Sequence, residues 1–494
     1  MQDEEDENQL MNGDGALPNL PLTGLTADSR QVRPGYLFAA VPGSKTDGAR
    51  FAKDAVAAGA IAVLAPPGAL SADDLGAGVT LVTDSNPRRR LAKMAARFYR
   101  PQPDLCVGVT GTNGKTSVAS FTRQLWQATG APAASVGTLG VQGPGFPGGA
   151  GLTSPDPVDL HRHLRELAEA GIQHVAMECS SHGLDQYRLD GVAFAAAAFT
   201  NLSRDHLDYH GTMEAYRAAK LRLFDELLPR GGALVANARA AEFDALANIA
   251  HERGLELVSY GLEHGRIRCL KIEPRGGGFD LALDVMGERY EVDFPLPGRF
   301  QVENALAALG LVLATGSSAR VAVPCLSRLE GVRGRLEPAA VTADKARIYV
   351  DYAHTPDALQ TVLETLRPHV TGRLIALFGC GGDRDRGKRP MMGEIAARFA
   401  DAAVVTDDNP RSEDPAAIRT EITAACPGAQ EIGDRREAIH AAVAQLRPGD
   451  VLLVAGKGHE QGQTVGDTVL PFDDASVVRE AAARAAGHDR GDAQ

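Results

Sequence analysis

The chain is 494 residues long, with 44% apolar and 23% charged residues, the values of a folded globular protein. At roughly 100–200 residues per domain it divides into two to four domains. Its 63 acidic against 51 basic side chains leave a formal charge of −12, which excludes a general polyanion binder but leaves room for a local basic pocket that takes a small phosphorylated ligand.

Residues 1 to about 20, beginning MQDEEDENQ, are acidic where a signal peptide needs a basic start and an apolar run, and read as a mobile tail. No apolar stretch is long enough to span a bilayer. The six cysteines stand singly, with no CxxC pair, so neither a zinc site nor a disulfide framework is indicated. Together these features predict a cytoplasmic protein. Residues 21–100 read as a small α/β domain, with apolar runs at 36–41, 61–64 and 79–82 and a helical pattern of Phe51, Ala55 and Ala58 that stops at Gly59. The segment Arg100-Pro101-Gln102-Pro103 is a linker, because each proline biases its predecessor away from helix.

A larger region, 101–333, follows. Its run 105–110 is a buried strand leading into a glycine-rich turn, then a helix with Val118, Phe121 and Leu125 on one face, stopped by Gly130. A second helix carries Leu160, Leu164 and Leu167 and ends at Gly171, before strands at 174–177 and 193–199. Such alternation predicts a doubly wound parallel sheet. The pattern restarts at GVRGRLE (331–337), with apolar runs at 347–350, 374–378, 402–406 and 451–454, so residues 334–494 read as a third, Rossmann-like domain.

The strongest local signal is GTNGKTS at 111–117, between a strand and a helix. Gly111 and Gly114 let the backbone curl so that its N–H groups, from Thr112 and Asn113 through Ser117, face an anion at a helix N-terminus. Lys115 supplies a full charge for phosphates and the Thr116 hydroxyl suits Mg²⁺. Val109 stands where the general P-loop pattern has its first glycine, so this is a variant of that loop. The plainer alternative is a glycine-rich turn with a solvated lysine. Glu178 closes the strand 174–177, and Asp205 and His206 follow the strand 193–199. The carboxyl ends of strands form the ligand crevice of an open α/β sheet, where a carboxylate suits Mg²⁺. On chemistry alone Glu178 could be a surface carboxylate and His206 a helix-capping or structural residue.

GTNGKTS, MECSSHGLDQYR (177–188), FTNLSRDHLDYHG (199–211), YRAAK (216–220), GRLE (334–337) and DYAHTPDAL (351–359) together resemble the Mur ligases, ATP-dependent amino-acid ligases that build the peptidoglycan stem peptide. The resemblance runs from about residue 24 to about residue 475 and implies an N-terminal UDP-substrate domain, a central ATP-binding domain and a C-terminal amino-acid-binding domain. GGDRDRGKRP (381–390), DDNPR (407–411) and AGKGHE (455–460) look like the diaminopimelate-adding branch of the family. By that resemblance Lys115, Glu178, His206 and Lys220 are catalytic, and Mg²⁺ is held by Thr116, Glu178, His206 and a carbamylated Lys220. Lys220 would otherwise be an ordinary helix lysine. Asn304, Arg335, Asp351 and His354 match positions around ATP. Ala27, Ser29, Ser44, Lys45, Thr46, Thr153, Ser154, Ser180, Gln186 and Arg188 match positions that hold a UDP-muramoyl-dipeptide. The acceptor would meet Arg384, Asp408, Asn409, Pro410, Arg411, Gly456 and Glu460.

Meso-diaminopimelate carries an ammonium and a carboxylate at each end. Arg384 and Arg411 can fork onto carboxylates, Asn409 can hydrogen-bond, Glu460 can receive the distal ammonium, and Gly456 leaves its backbone open. L-lysine lacks the distal carboxylate and would leave Arg411 unpaired. The resemblance thus implies a monomer acting on ATP, a UDP-linked dipeptide and an amino acid, with no nucleic-acid partner and no membrane insertion. A lysine-adding ligase, a folylpolyglutamate-synthetase-like ligase and a P-loop switch or motor are the competing classes. The DNPR segment speaks against lysine, the N-terminal substrate motifs against folate, and the arginine-rich third domain against a switch.

Overall fold

The protein's structure, a computed structural model, describes residues 20–43, 47–149, 151–203 and 205–488. The acidic tail read at 1–19, and the candidates Ser44, Lys45 and Thr46, lie outside the described residues. The chain divides into two compact units, one running to residue 267 with 306–322 added, the other comprising 268–305 and 323 onward.

The first unit opens with four short strands, β1 (Gly24–Thr26), β2 (Tyr36–Ala39), β3 (Ala62–Ala65) and β4 (Thr80–Thr83), paired in that order and all parallel. The helix Pro87–Phe98 starts where Asn86 accepts a hydrogen bond from the Arg89 N–H and Pro87 sets the first turn. It lays Leu91, Met94 and Ala95 against Leu37, Ala39 and Leu64 of the sheet.

The larger sheet of this unit contains β5 (Leu105–Thr110), β6 (Ala133–Gly137), β7 (Gly140–Gly143), β8 (Phe146–Pro147), β9 (His174–Glu178), β10 (Phe194–Phe199), β11 (Ala233–Asn237) and β12 (Glu256–Gly261). Their spatial order is β12-β11-β10-β5-β9-β6-β7-β8. Strands β12 through β6 are parallel, and β7 and β8 add an antiparallel edge. The central strand β5 is apolar up to its last residue, Thr110, and buried over five of its six residues, as a strand covered on both faces must be. Its neighbours are β10 and β9, so the ends of these three strands lie side by side.

Strand β13 (Ile267–Arg275) leads from the first unit into the second, where β14 (Gly278–Val285) and β15 (Glu288–Phe294) form an antiparallel pair. The second unit's main sheet is β16 (Glu337–Val341), β17 (Arg347–Asp351), β18 (Leu374–Phe378), β19 (Ala402–Val405), β20 (Gln430–Glu431) and β21 (Val451–Ala455). Its order is β16-β17-β21-β18-β19-β20, parallel except at β16. Alternate side chains of β18 enter different cores. Leu374, Ala376 and Phe378 pack with Leu359, Leu363, Met392 and Ile422, while Ile375 and Leu377 pack with Ile439, Val443 and Val478. That two-sided cover explains the unbroken apolar run. A hairpin, β22 (Gly462–Val465) and β23 (Thr468–Pro471), follows.

The helices Arg435–Ala444 and Asp474–His488 are tied at their first residues by Arg435 and Asp474, both fully buried, with two N–H···O contacts of 2.7 Å. Arg435 also donates to the carbonyls of Ala455 (2.9 Å) and Asp407 (3.4 Å). Removing one member strands a buried charge. Asp474→Ala is therefore expected to cost the second unit about 3–5 kcal/mol, whereas replacing both partners by apolar side chains recovers most of it. Urea unfolding of the two variants checks this, and equal stability of Asp474→Ala and the parent would refute it.

Candidate functional site

Strand β5 ends at Thr110 and the chain turns through Gly111 (φ +142°) and Gly114 (φ +89°) into the helix Lys115–Ala128. A Cβ on Gly111 would stand 1.9 Å from Thr200 Oγ1, so only glycine fits. The segment after β10 clamps this loop. Thr112 N–H donates to Asn201 O (2.8 Å), Asn113 N–H to Asn201 Oδ1 (3.1 Å), and Thr200 Oγ1 donates to Asn113 O (2.6 Å). Gly114, at the N-cap, has no side chain with which to cap the helix, which leaves the first-turn N–H groups and the positive end of the dipole to an anion. Lys115 Nζ donates back to Gly111 O (3.0 Å) and Thr112 O (2.8 Å).

Glu178, buried at the end of β9, joins this loop to the next set of candidates. Its Oε2 accepts from Thr116 Oγ1 (2.9 Å) and its Oε1 from the Thr138 N–H (2.8 Å). Thr138 Oγ1 lies 3.1 Å from Thr153 Oγ1. Ser154 Oγ donates to the Glu178 carbonyl (3.0 Å) and accepts from Ser180 N–H (3.0 Å) and Ser180 Oγ (3.1 Å). Arg188 donates to Ser154 O (2.8 Å) and to Gln186 Oε1 (2.6 Å). Thr153, Ser154, Ser180, Gln186 and Arg188 thus form one network ending on Glu178. Ala27 and Ser29 stand just past β1, Ala27 exposed and Ser29 half-buried; among the described residues no hydrogen bond joins them to that network.

Lys220, on the helix Met213–Arg222, is buried and donates to Gly111 O at 2.7 Å. One carbonyl therefore receives two lysines. Burial first, and the Lys115 charge second, push the Lys220 amine down to about 6, so it is mostly neutral at neutral pH and is a nucleophile. Its Nζ sits 4.4 Å from the Tyr216 ring centroid, and Tyr216 OH lies 3.1 Å from Thr112 Oγ1. His206 occupies the N-cap position of the helix Leu207–His210 with φ +51°, but its side chain makes no capping bond. The half-exposed imidazole is 3.4 Å from Asp205 Oδ2, 4.8 Å from the His182 ring and 6.2 Å from the Tyr216 ring.

Of the four candidate metal ligands, Thr116 and Glu178 touch directly, Lys220 meets the same loop at Gly111, and His206 joins through Tyr216. Thr116 and Glu178 offer two hard oxygen donors beside an anion cradle, a set suited to Mg²⁺. Among the described residues no group of three or more His, Cys, Asp or Glu could hold a metal ion, so a cation here needs the hydroxyl, a modified lysine or ligand oxygens as well.

In the second unit, Asn304 Nδ2 donates to Gln301 Oε1 (3.0 Å) and Gln301 Nε2 to Arg335 O (3.4 Å). The Arg335 guanidinium lies 5.2 Å from the Tyr352 ring centroid. Asp351, the last residue of β17, accepts from the N–H groups of Leu336 (2.6 Å) and Ala353 (2.7 Å), while its burial raises its pKa. His354 Nδ1 is 2.9 Å from Tyr352 O. Arg335, Asp351 and His354 thus adjoin Tyr352, and Asn304 connects to Arg335 through Gln301.

Arg384 follows β18, Asp408 to Arg411 follow β19, and Gly456 to Glu460 follow β21. These strands are parallel neighbours, so their loops share one edge of the sheet. Asn409 Nδ2 donates to Glu460 Oε2 at 2.9 Å. A Cβ on Gly456 (φ +115°) would stand 2.6 Å from Asp408 Oδ2. Arg411, at φ +51°, is gripped on both sides: its N–H donates to Thr464 O (3.1 Å), its carbonyl accepts from Gly466 N–H (2.8 Å), and its guanidinium donates to Gly382 O (2.8 Å). Pro410 O accepts from the Glu413 N–H (3.1 Å). Burial raises the Tyr352 phenol's pKa, and the charges of Glu460, Arg335, Asp408 and Arg384 all act on it, so this ring borders both sets of candidates. Thr138, Asn201, Tyr216, Tyr352 and Lys457 were not singled out from sequence. Asn201, Tyr216, Tyr352 and Lys457 lie inside quoted motifs, which was the available signal.

Residues 109–312 match the family model described as Mur ligase middle domain, 334–458 the model Mur ligase, glutamate ligase domain, and 21–99 the model Mur ligase family, catalytic domain. The chain is 54% identical to the "UDP-N-acetylmuramoyl-L-alanyl-D-glutamate--2,6-diaminopimelate ligase" of Rhizobium meliloti, over 95% of this chain and 96% of that one. It is also 54% identical to the protein of the same name from Caulobacter vibrioides, over 93% and 95%. A solved structure of a ligase of that name is similar with a TM-score of 0.74 and 34% identity, covering 96% of this chain and 98% of that chain.

The Gly111 turn can be tested directly. Gly111→Ala forces the loop off Thr200 and is expected to weaken nucleotide binding ~10–100-fold with the fold retained, as measured by calorimetric titration. Unaltered binding would contradict the tight approach.

Proposed function

Because the chain belongs to the Mur ligase family, we propose that it is an ADP-forming acid–amino-acid ligase that joins meso-2,6-diaminopimelate to UDP-N-acetylmuramoyl-L-alanyl-D-glutamate in peptidoglycan precursor synthesis. ATP is the energy-supplying substrate and Mg²⁺ the cofactor. The domain assignment we adopt is 21–100 for the UDP-substrate, 101–333 for ATP and 334–494 for the amino acid.

A carboxylate does not yield an amide with an amine at neutral pH, because oxide is too poor a leaving group. Transfer of the ATP γ-phosphoryl to the dipeptide carboxylate releases ADP and makes an acyl phosphate. The acceptor amine then attacks the acyl carbon, phosphate departs and the nitrogen loses a proton. The work of the protein is to align negatively charged groups and offset their repulsion. The loop N–H groups 112–117 and Lys115 cradle the phosphates, and Asn304, Arg335, Asp351 and His354 hold the rest of the nucleotide. Thr116 and Glu178 would hold Mg²⁺, which when bound would supply further positive charge against the repulsion of the anions. The neutral Lys220 amine adds to CO₂ and loses a proton, giving a carbamate that with His206 completes a second cation site. Ala27, Ser29, Ser44, Lys45, Thr46, Thr153, Ser154, Ser180, Gln186 and Arg188 bind the UDP-substrate. Arg384, Asp408, Asn409, Pro410, Arg411, Gly456 and Glu460 receive the acceptor.

The observation that carries the choice of acceptor is the convergence of two guanidinium loops and the Asn409–Glu460 pair on one sheet edge, suited to a zwitterion. We place the enzyme in the cytoplasm, as a monomer meeting small molecules; among the described residues no helix is long and apolar enough to cross a membrane.

ADP release beyond a single turnover is expected only when ATP, UDP-muramoyl-dipeptide and diaminopimelate are all present. L-lysine should be used roughly 10⁴-fold less well, since it leaves a built-in polar partner unpaired. Continued release without an acceptor, or equal use of lysine, would contradict the assignment. Lys220→Ala should abolish turnover, with a short carboxylic acid restoring part of it; full activity of the variant would remove the carbamate.

A further inference from the structure

Lys457 is fully buried and none of the roles above uses it. Its Nζ donates to Asn409 Oδ1 at 2.9 Å and lies 3.3 Å from Glu460 Oε2. The Thr464 N–H donates to the same Asn409 oxygen, also at 2.9 Å. An amide oxygen has two acceptor sites, and here both are filled by groups that can only donate. The Asn409 amide therefore has one permitted orientation, with Nδ2 toward Glu460. Of the two Nδ2 hydrogens, one goes to Glu460 Oε2, and among the described residues the other has no acceptor. Both bonds that Glu460 receives fall on Oε2, so Oε1 keeps its lone pairs.

We infer that Lys457 is a positioning residue that fixes what the acceptor site can read. By saturating the Asn409 oxygen it makes Asn409 a donor to a ligand carboxylate, and by occupying Glu460 Oε2 it leaves Oε1 to a ligand ammonium. One N–H beside one carboxylate oxygen is the complement of an α-amino-acid end. With the amide reversed, an oxygen would face the ligand carboxylate and repel it. The buried charge is tolerated because it is paired and hydrogen-bonded. The inference rests on the proposed function and adds the group that sets its acceptor specificity.

The test begins with the wild type, whose diaminopimelate-dependent ADP release checks the functional reading by itself. Lys457→Met keeps the apolar stem and removes the charge. It is expected to raise the diaminopimelate KM roughly 10–100-fold, with kcat within about threefold and the KM of ATP and of the UDP-dipeptide unmoved. In an Asn409→Ala background the same change should raise the diaminopimelate KM severalfold less than in the wild type, because only its contact with Glu460 remains. Should Lys457→Met fail to fold, Lys457→Gln is measured in the same two backgrounds. With wild-type release intact, an unchanged KM, or an equal increase in both backgrounds, overturns the inference.

Discussion

Repulsion between oxyanions is the constraint on which this molecule is organised. A carboxylate and a triphosphate must come within bonding distance, and every element of the first unit's site bears on that. Parallel strands β10, β5 and β9 end side by side, delivering the clamp at Thr200 and Asn201, the loop at Gly111 and the carboxylate of Glu178 to one place. The helix Lys115–Ala128 then presents its positive end where the strand stops. Glu178 joins the loop to the Ser154 network, since its side chain touches Thr116 and its carbonyl is held by Ser154.

The second unit solves the opposite problem, how to hold fixed charges without letting them collapse on each other. Arg435, paired with Asp474, grips the carbonyls just before the 408–411 and 456–460 loops. Lys457 grips the two side chains those loops present to a ligand. The hairpin strand Gly462–Val465 and Gly466 hold Arg411 in a left-handed conformation that a non-glycine residue adopts only when its surroundings impose it. The buried cations Arg435 and Lys457 fix geometry, whereas the exposed Arg384 and half-buried Arg411 are, on the proposed function, the charges left for a ligand.

Much of this was legible in the sequence because parallel strands covered on both faces are continuous apolar runs. The run 105–110 corresponds to β5 residue for residue, and 374–378 to β18. Glycines at 111 and 114 marked the phosphate loop because no other residue takes those φ values there. The antiparallel edge β7–β8 and the β14–β15 pair were not read, since alternating or mixed strands such as GVQG and ERYEVDF leave no continuous run. Lys220 was visible only through family resemblance: nothing in YRAAK announces burial, and its lowered pKa comes from that burial and from Lys115, about a hundred residues earlier in the chain. Lys457 lay in a quoted motif, but its partners Asn409 and Thr464 become neighbours only when β19, β21 and the hairpin assemble.

The central claim, that the dipeptide carboxylate is activated as an acyl phosphate that the amine then attacks, is tested most directly by labelling that carboxylate with ¹⁸O and analysing the released phosphate by mass spectrometry. One ¹⁸O atom per phosphate is the predicted result. Phosphate free of label, or label found in AMP, would contradict it.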